Sequence, residues 1–182
     1  IDKVTSARVF REYFANPFAL DTGPIYFRQR YGDVEFFVID TRYFRSDLTK
    51  PKPPEPNMLG DKQTAWLLDA LEKSTATFKI VVSGSKYTPA SGSDKAWGEF
   101  QFELGKLYGA LDTRKIAGVV FASGGAHHSE IRTIKRPKGY PITELVASTL
   151  SASGSTCPDP KDSTDAYKLE RCAGAIDLTK EM

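Results

Sequence analysis

Short apolar runs that alternate with amphipathic segments constrain the fold of this chain more than any other feature. The runs Phe36–Ile39, Phe78–Gly84 and Ala117–Ala122 have the length and the β-branched and aromatic content of buried strands. Between them, Gly60–Ser74 and Glu99–Ala110 carry apolar side chains at helical spacing. This alternation of helix and strand predicts an α/β fold.

The remaining segments predict a smaller set of elements. Ser6–Phe14 has the apolar spacing of a helix, which Asn16 and Pro17 would end. Two hairpins are expected, one pairing 25–30 with 34–40 and the other pairing 130–134 with 140–148. The last thirty or so residues have little apolar content, and we expect them to form an irregular tail.

Composition limits the classes of function. A chain of 182 residues, 40% of them hydrophobic, can bury one substantial core. Its 25 basic and 23 acidic residues nearly cancel, so we expect no nucleic-acid partner. No apolar segment approaches the roughly 20 residues that a membrane-spanning helix needs. Because the chain begins at Ile1 without a methionine, we expect further sequence upstream.

The two cysteines, Cys157 and Cys172, lie in the polar tail. A disulfide between them would close a loop of about 15 residues and contribute about 3 kcal/mol in the chain-entropy model. We therefore expect a disulfide and a secreted or extracytoplasmic location. Two reduced surface thiols in a cytosolic protein remain the alternative. The spacing does not fit a CxxC redox or zinc element.

Polar side chains follow three of the predicted strands, at positions that could share one edge of a sheet. An arginine there can bind a phosphate or carboxylate with two hydrogen bonds, and an imidazole can bind a metal or transfer a proton. The residues concerned are Asp40 and Arg42, Lys86 and Tyr87, and His127, His128 and Glu130.

Structural roles are equally compatible with these residues. Asp40 and Arg42 could form a strand-end ion pair, and His127 could be a hydrogen-bonded structural residue. Adjacent histidines on an extended chain point to opposite faces, so at most one of His127 and His128 should serve a given site. No GxSxG motif is present, which argues against acyl hydrolysis by a nucleophilic serine.

Several motifs resemble those of the alkaline phosphatase D (PhoD-like) family of metallophosphatases and occur in the same order along the chain. The resemblance runs from about Arg11 to Ser153. It rests on Tyr31–Arg45, Met58–Gln63 with Trp66 and Leu67, Thr75–Gly84, the Ser123–Ile131 turn with its two histidines, and Tyr140–Leu145.

The resemblance implies the downstream half of a four-layer α/β/β/α sandwich with mixed sheets. Residues 1–153 would form that half of the phosphatase domain, and 154–182 a polar tail with the disulfide. The family hydrolyses phosphomonoesters or phosphodiesters with bound metals such as iron and calcium. By resemblance, His127 would be a metal ligand at the active site, and Arg42 an active-site or structural arginine.

Two features depart from the family pattern. Family members generally have aspartate in the signature turn where this chain has Gly125, which offers no ligand. The family's other ligands lie mostly in an upstream half that this chain does not include. A metal pair that activates water needs several ligands, so the active site would be incomplete here.

Three interpretations follow. In the first, the chain is part of a secreted phosphatase or phosphodiesterase and joins an upstream half or another chain to bind a phosphate ester. In the second, it is a catalytically degenerate scaffold with a binding or assembly role, and its unpaired sheet surfaces would favour a homo-oligomer or filament. In the third, it is a carbohydrate- or surface-binding module of a secreted protein.

Overall fold

The computed structural model describes residues 2–48, 53–88, 96–136, 138–148, 157 and 167–173. These residues form α-helices, one short 3-10 helix and a seven-stranded sheet. In chain order the elements are α1 (Lys3–Tyr13), β1 (Phe27–Tyr31), β2 (Val34–Val38), α2 (Gly60–Lys73), β3 (Phe78–Ser83), the 3-10 helix (Trp97–Phe100), α3 (Gln101–Thr113), β4 (Val119–Ser123), β5 (Ser129–Ile134), β6 (Ile142–Val146) and β7 (Tyr167–Ala173).

The helix ends follow from local hydrogen bonds. Helix α1 begins three residues earlier than its apolar pattern indicates, because the Asp2 carboxylate accepts the backbone N–H of Thr5 at 3.0 Å. Helix α2 has no side-chain cap of its own. Instead, the buried carboxylate of Glu103 in α3 accepts the N–H groups of Leu59 and Gly60 at 3.1 and 2.9 Å. The two helices are thereby joined at the start of α2.

The sheet is mixed, with the strand order β1-β2-β3-β4-β6-β5-β7. Strands β2, β3, β4 and β6 are parallel to their neighbours in this series, and β1, β5 and β7 pair antiparallel. The predicted mixed α/β fold is confirmed. Among the described helices, none has the length and apolar character that crossing a membrane would require.

Helices α2 and α3 cover one face of the sheet. Alternate strand residues point to this face and form the core with the helix leucines, as the period of two in a strand requires. The fully buried side chains of this core include Trp97, Tyr87, Phe37, Phe100, Phe121, Met58, Leu67, Leu71, Leu104, Leu107 and Leu111.

The opposite face, which we call the open face, is also apolar but much less buried. Its central side chains are half-buried, and several others are exposed, including Phe78 at 53% and Leu145 at 41%. A face of this kind on a folded domain usually marks an interface. The open face comprises Val34, Phe36, Val38, Phe78, Ile80, Val82, Val120, Ala122, Ile131 and Leu145.

The expected irregular tail is wrong for Tyr167–Ala173, which form β7 at the edge of the sheet beside β5. Charged residues are common on edge strands, and here they obscure the apolar pattern by which a strand is recognised. The predicted disulfide joins Cys157 to Cys172 of β7. The rest of the tail lies outside the described residues.

Candidate functional site

The carboxyl ends of β2, β3 and β4 lie side by side at one edge of the sheet, because these strands are parallel neighbours. The turns that follow them are in contact. The hydroxyl of Ser85 donates to Thr41 Oγ1 at 3.4 Å, and the amide of Gly124 donates to the carbonyl of Ser83 at 3.2 Å. The turns that carry Arg42 and His127 therefore belong to one edge of the sheet.

Asp40 shapes the turn that carries Arg42. One carboxylate oxygen accepts the N–H groups of Arg42 and Tyr43 at 2.9 and 3.0 Å, and the other accepts the N–H of Ile25 at 3.0 Å. Both oxygens thus bind backbone groups, and the described ion pairs do not include one between Asp40 and Arg42. Asp40 is a turn-forming residue here, not the partner of the guanidinium.

Gln63 of α2, which is fully buried, holds the same turn from the helix side. Its side-chain oxygen accepts the N–H of Asp40 at 2.7 Å, and its amide donates to the Asp40 carbonyl at 2.8 Å, as a neighbouring strand would. The Arg42 side chain is exposed, and with Lys3 it borders a cleft of about 380 Å³ between α1 and the turn. An exposed guanidinium in this position can bind a phosphate with two hydrogen bonds.

His127 has an unusual backbone conformation, with φ at 61°. Non-glycine residues rarely occupy this left-handed region, and such outliers concentrate at functional sites. Its backbone N–H donates to Ser148 Oγ at 2.9 Å. The side chain is half-buried, and among the described residues its imidazole has no hydrogen-bonding or charged partner. The imidazole is therefore available to an external ligand.

Gly125 precedes His127 in the same turn and also has a left-handed backbone, with φ at +79°. A Cβ at this position would lie 3.0 Å from the carbonyl oxygen of Gly84. The turn is thus adapted to glycine in conformation as well as lacking a ligand. An aspartate introduced here would require the two turns to separate slightly.

Glu130 lies at the centre of a buried charged cluster on the helix-covered face. Lys86 Nζ contacts one of its oxygens, Arg132 Nε lies 3.0 Å from the same oxygen, and His128 Nε2 lies 3.2 Å from the other. Burial alone would raise the pKa of Glu130, but the adjacent cationic groups of Arg132 and Lys86 outweigh it and hold that pKa below its ordinary value. Glu130 is therefore ionised and paired with its cationic neighbours.

One group of residues has the spacing of a metal site. One ligand atom from each of His128, Glu130 and Cys172 lies within 4.8 Å of the others. Cys172 is oxidised in the disulfide, whereas a metal binds thiolate, and Glu130 is already paired with cations. Repulsion by Lys86 and Arg132 would oppose a further cation. This chemistry favours an ion cluster over a metal centre.

Glu144 organises the site in a way that the sequence did not indicate. It is fully buried, and one oxygen accepts the N–H of Tyr87 at 2.7 Å and the hydroxyl of Ser123 at 2.6 Å. The other oxygen accepts the N–H of Thr88 at 3.0 Å. Glu144 thereby joins the segment after β3 to the end of β4, where the His127 turn begins. The sequence signal for this role was a carboxylate at a position of β6 that alternation places on the buried face, between Ile142 and Val146.

Tyr87 and Lys86 were expected among the polar groups at the sheet edge where the strands end, and this expectation is wrong because both are buried. Tyr87 stacks between Phe121 and Trp97, with ring centroids 4.0 and 5.5 Å away, and its burial together with the charge of Glu144 raises its pKa well above 10. The chain turns inward after β3 because buried carboxylates accept its backbone and ammonium groups. Arg42 and His127 are the accessible polar side chains that remain from the expected set.

Comparisons with known proteins agree with this architecture. No curated protein matches the chain. A solved structure described as "Structure of PhoD" is similar with a TM-score of 0.63 at 19% identity, which shows a shared fold. The similarity covers 84% of this chain and 34% of that one, so the chain spans about a third of the length of its structural relative. This partial coverage fits the predicted half of the fold.

The family model described as PhoD-like phosphatase matches residues 3–175. The match extends beyond residue 153, where the recognised motifs end, and includes β7. It spans nearly all of the chain, and on this basis the chain belongs to the PhoD-like phosphatase family.

Proposed function

We propose that this chain supplies the downstream half of a metal-dependent centre that hydrolyses phosphate esters. The observation that carries the proposal is the His127 imidazole, which has no partner among the described residues and is held on a left-handed turn at the carboxyl edge of parallel strands. Its neighbours on this edge include the turn of Arg42. An available imidazole can bind a metal ion, and an exposed guanidinium can bind a phosphate.

His127 would hold one metal ion, which would supply activated water for attack on phosphorus. Arg42 would bind the non-bridging oxygens of the phosphate and stabilise the charge that develops on them. Asp40 would not act as a base, because backbone N–H groups occupy both of its oxygens. One imidazole is not a complete ligand set, so the other ligands would come from the part of the family fold that this chain does not span.

The open face supports this division of the protein. Its apolar side chains are half-buried or exposed although they lie at the centre of a sheet. A second sheet packed on them would bury this surface and add about 25 cal/mol for each square ångström of apolar area covered. The upstream half of the same fold is the occupant we propose, with another copy of this chain as the competing one.

The test uses the complete protein, by which we mean this chain together with the upstream half of the fold. Replacing His127→Ala should lower metal affinity more than about 100-fold, since even outer-shell changes cost 10 to 100-fold. Replacing His128→Ala removes a neighbouring imidazole that binds Glu130, and should change stability while leaving metal affinity intact. Equal metal affinity in the wild type and the His127 variant would refute the role of His127.

Activity provides a separate measurement. We expect turnover of p-nitrophenyl phosphate or its bis-ester by the complete protein, and a loss of about 10 to 100-fold in kcat/KM for Arg42→Met, the equivalent of one charged hydrogen-bonded pair. Arg42→Lys keeps the charge but loses the two parallel hydrogen bonds, so its kcat/KM should lie between those of the wild type and Arg42→Met. A wild-type kcat/KM in Arg42→Met would refute a role for Arg42 in phosphate binding.

A second candidate is a catalytically degenerate scaffold with a binding or assembly role. Gly125 favours it, because the turn lacks the family's carboxylate and has a conformation suited to glycine. Metal analysis distinguishes the two candidates. Tight stoichiometric metal binding together with turnover by the complete protein would exclude the degenerate scaffold. The absence of both metal binding and turnover would support it.

We also propose a secreted or extracytoplasmic location, which the disulfide between Cys157 and Cys172 supports. Mass spectrometry of the protein from its natural compartment tests this. A gain of two hydrogens on reduction is expected, and free thiols in the isolated protein would contradict the proposal.

A further inference from the structure

Ser148 contacts His127, the proposed metal ligand, whose backbone lies in the left-handed region. Its Oγ accepts the backbone N–H of His127 at 2.9 Å, across a sequence separation of 21 residues. The contact is therefore tertiary, since it joins the turn after β4 to the residue that lies two positions beyond β6. The conformation of His127 is set partly from outside its own turn.

The sheet delivers Ser148 to this position. Strand β6 pairs in parallel with β4, and the pairing continues one residue past the end of β6, where the N–H of Ala147 donates to the carbonyl of Ser123 at 2.9 Å. Ser148 follows directly, so the position of its backbone is set by this ladder of hydrogen bonds. A non-glycine residue at positive φ persists only where surrounding structure over-determines it, and this hydroxyl is one such restraint.

We propose that Ser148 is a positioning residue for His127, which holds the backbone so that the imidazole projects to the metal. The inference rests on the proposed function, in which His127 is a metal ligand. Ser148 itself would contact neither metal nor substrate. Its effect should resemble that of groups that orient a ligand from the second layer, whose loss weakens metal binding by about 10 to 100-fold.

The experiment measures binding of Co²⁺, a first-row ion suited to imidazole ligands, to the complete protein by competition with a chelator. Ser148→Ala removes the hydroxyl, and Ser148→Thr retains it. Tyr140→Phe is the matched control: the Tyr140 hydroxyl accepts the N–H of Val119 at 2.6 Å, at the opposite end of β4. It removes a hydroxyl that binds backbone groups at the start of β4, whereas Ser148 binds the turn that follows the end of this strand.

We expect Ser148→Ala to weaken Co²⁺ binding about tenfold and to alter the visible absorption of the bound ion, with both properties restored in Ser148→Thr. Tyr140→Phe should lower stability without changing either property. If Ser148→Ala does not fold, Ser148→Val and Ser148→Thr provide a pair that differs only in a methyl and a hydroxyl group.

His127→Ala in the same series distinguishes the positioning role of Ser148 from the metal-ligand role of His127. If His127→Ala loses Co²⁺ and Ser148→Ala binds it as the wild type does, the positioning role is wrong and the ligand role stands. If His127→Ala retains wild-type affinity, the ligand role is wrong and the positioning role is overturned with it. A loss of affinity in Tyr140→Phe equal to that in Ser148→Ala would reduce the effect to general destabilisation and also overturn the proposal.

Discussion

Replacing Glu144→Gln would test how the segment after β3 is joined to the end of β4. The carboxylate accepts three hydrogen bonds from Tyr87, Thr88 and Ser123, and an amide can accept with only one of its two heavy atoms. In the better orientation the N–H of Thr88 faces another N–H. A buried donor without an acceptor costs about 1 to 3 kcal/mol, and the two remaining bonds lose their charge assistance. Because an amide is cheaper to bury than a carboxylate, we expect a net loss of about 2 kcal/mol.

The assay is urea unfolding of the complete protein, with the slope m compared to confirm that only stability has changed. Glu35→Gln is the matched control, because Glu35 is also a buried strand carboxylate but accepts a side-chain hydroxyl, that of Ser74, and lies 3.6 Å from the half-exposed Arg28. Its loss should stay below about 1 kcal/mol. Equal losses in the two variants would refute the reasoning, since it depends on the backbone donors that bind Glu144 and not Glu35.

Two further predictions concern the backbone and pH. Gly118→Ala should destabilise the protein by more than about 3 kcal/mol or prevent folding, because its φ is +75° and a Cβ would lie 2.1 Å from the carbonyl oxygen of Thr77. Gly109→Ala lies inside α3 with open space around it and should stabilise the protein by about 0.5 to 1 kcal/mol. Thermal unfolding of both variants tests this pair of predictions. The lowered pKa of Glu130 means that its contribution to stability is complete above the ordinary value of 4.5 and is lost as pH falls through the lower folded value. The loss of stability between pH 5 and pH 3.5 should therefore be smaller in Glu130→Gln than in the wild type, and equal losses would contradict the shift.

The layout of the fold could be predicted from the sequence because its strands and helices obey simple periods. Phe36–Ile39 and Phe78–Gly84 are continuous apolar runs, as central strands are, and the helix between them has one apolar stripe. Strand β7 could not be predicted, because an edge strand is stabilised by backbone pairing and does not need an apolar pattern. The insertion of β6 between β4 and β5 was equally hidden, since a hairpin pattern specifies one neighbour and leaves the other undetermined.

The site could be predicted only in part. Strand ends identified Arg42 and His127, but the same reasoning also selected Lys86 and His128, which the structure buries. The difference lies in their acceptors. Glu130 draws the second pair into the core, and no local pattern shows which charge will find a partner distant in the chain. The accessible pair was therefore separable from the buried pair only once the tertiary contacts were known.

The position of β6 has a consequence for the order in which the protein is made. His127 is synthesised before β6, yet the hydroxyl that holds it comes from Ser148, 21 residues later. At about 5 to 20 residues per second, the ribosome delivers that residue roughly one to four seconds after the histidine. During this interval β4 also lacks its parallel neighbour on one side, so the turn cannot yet be fixed by the sheet. A chain interrupted before β6 would carry the histidine without the restraint that shapes its turn.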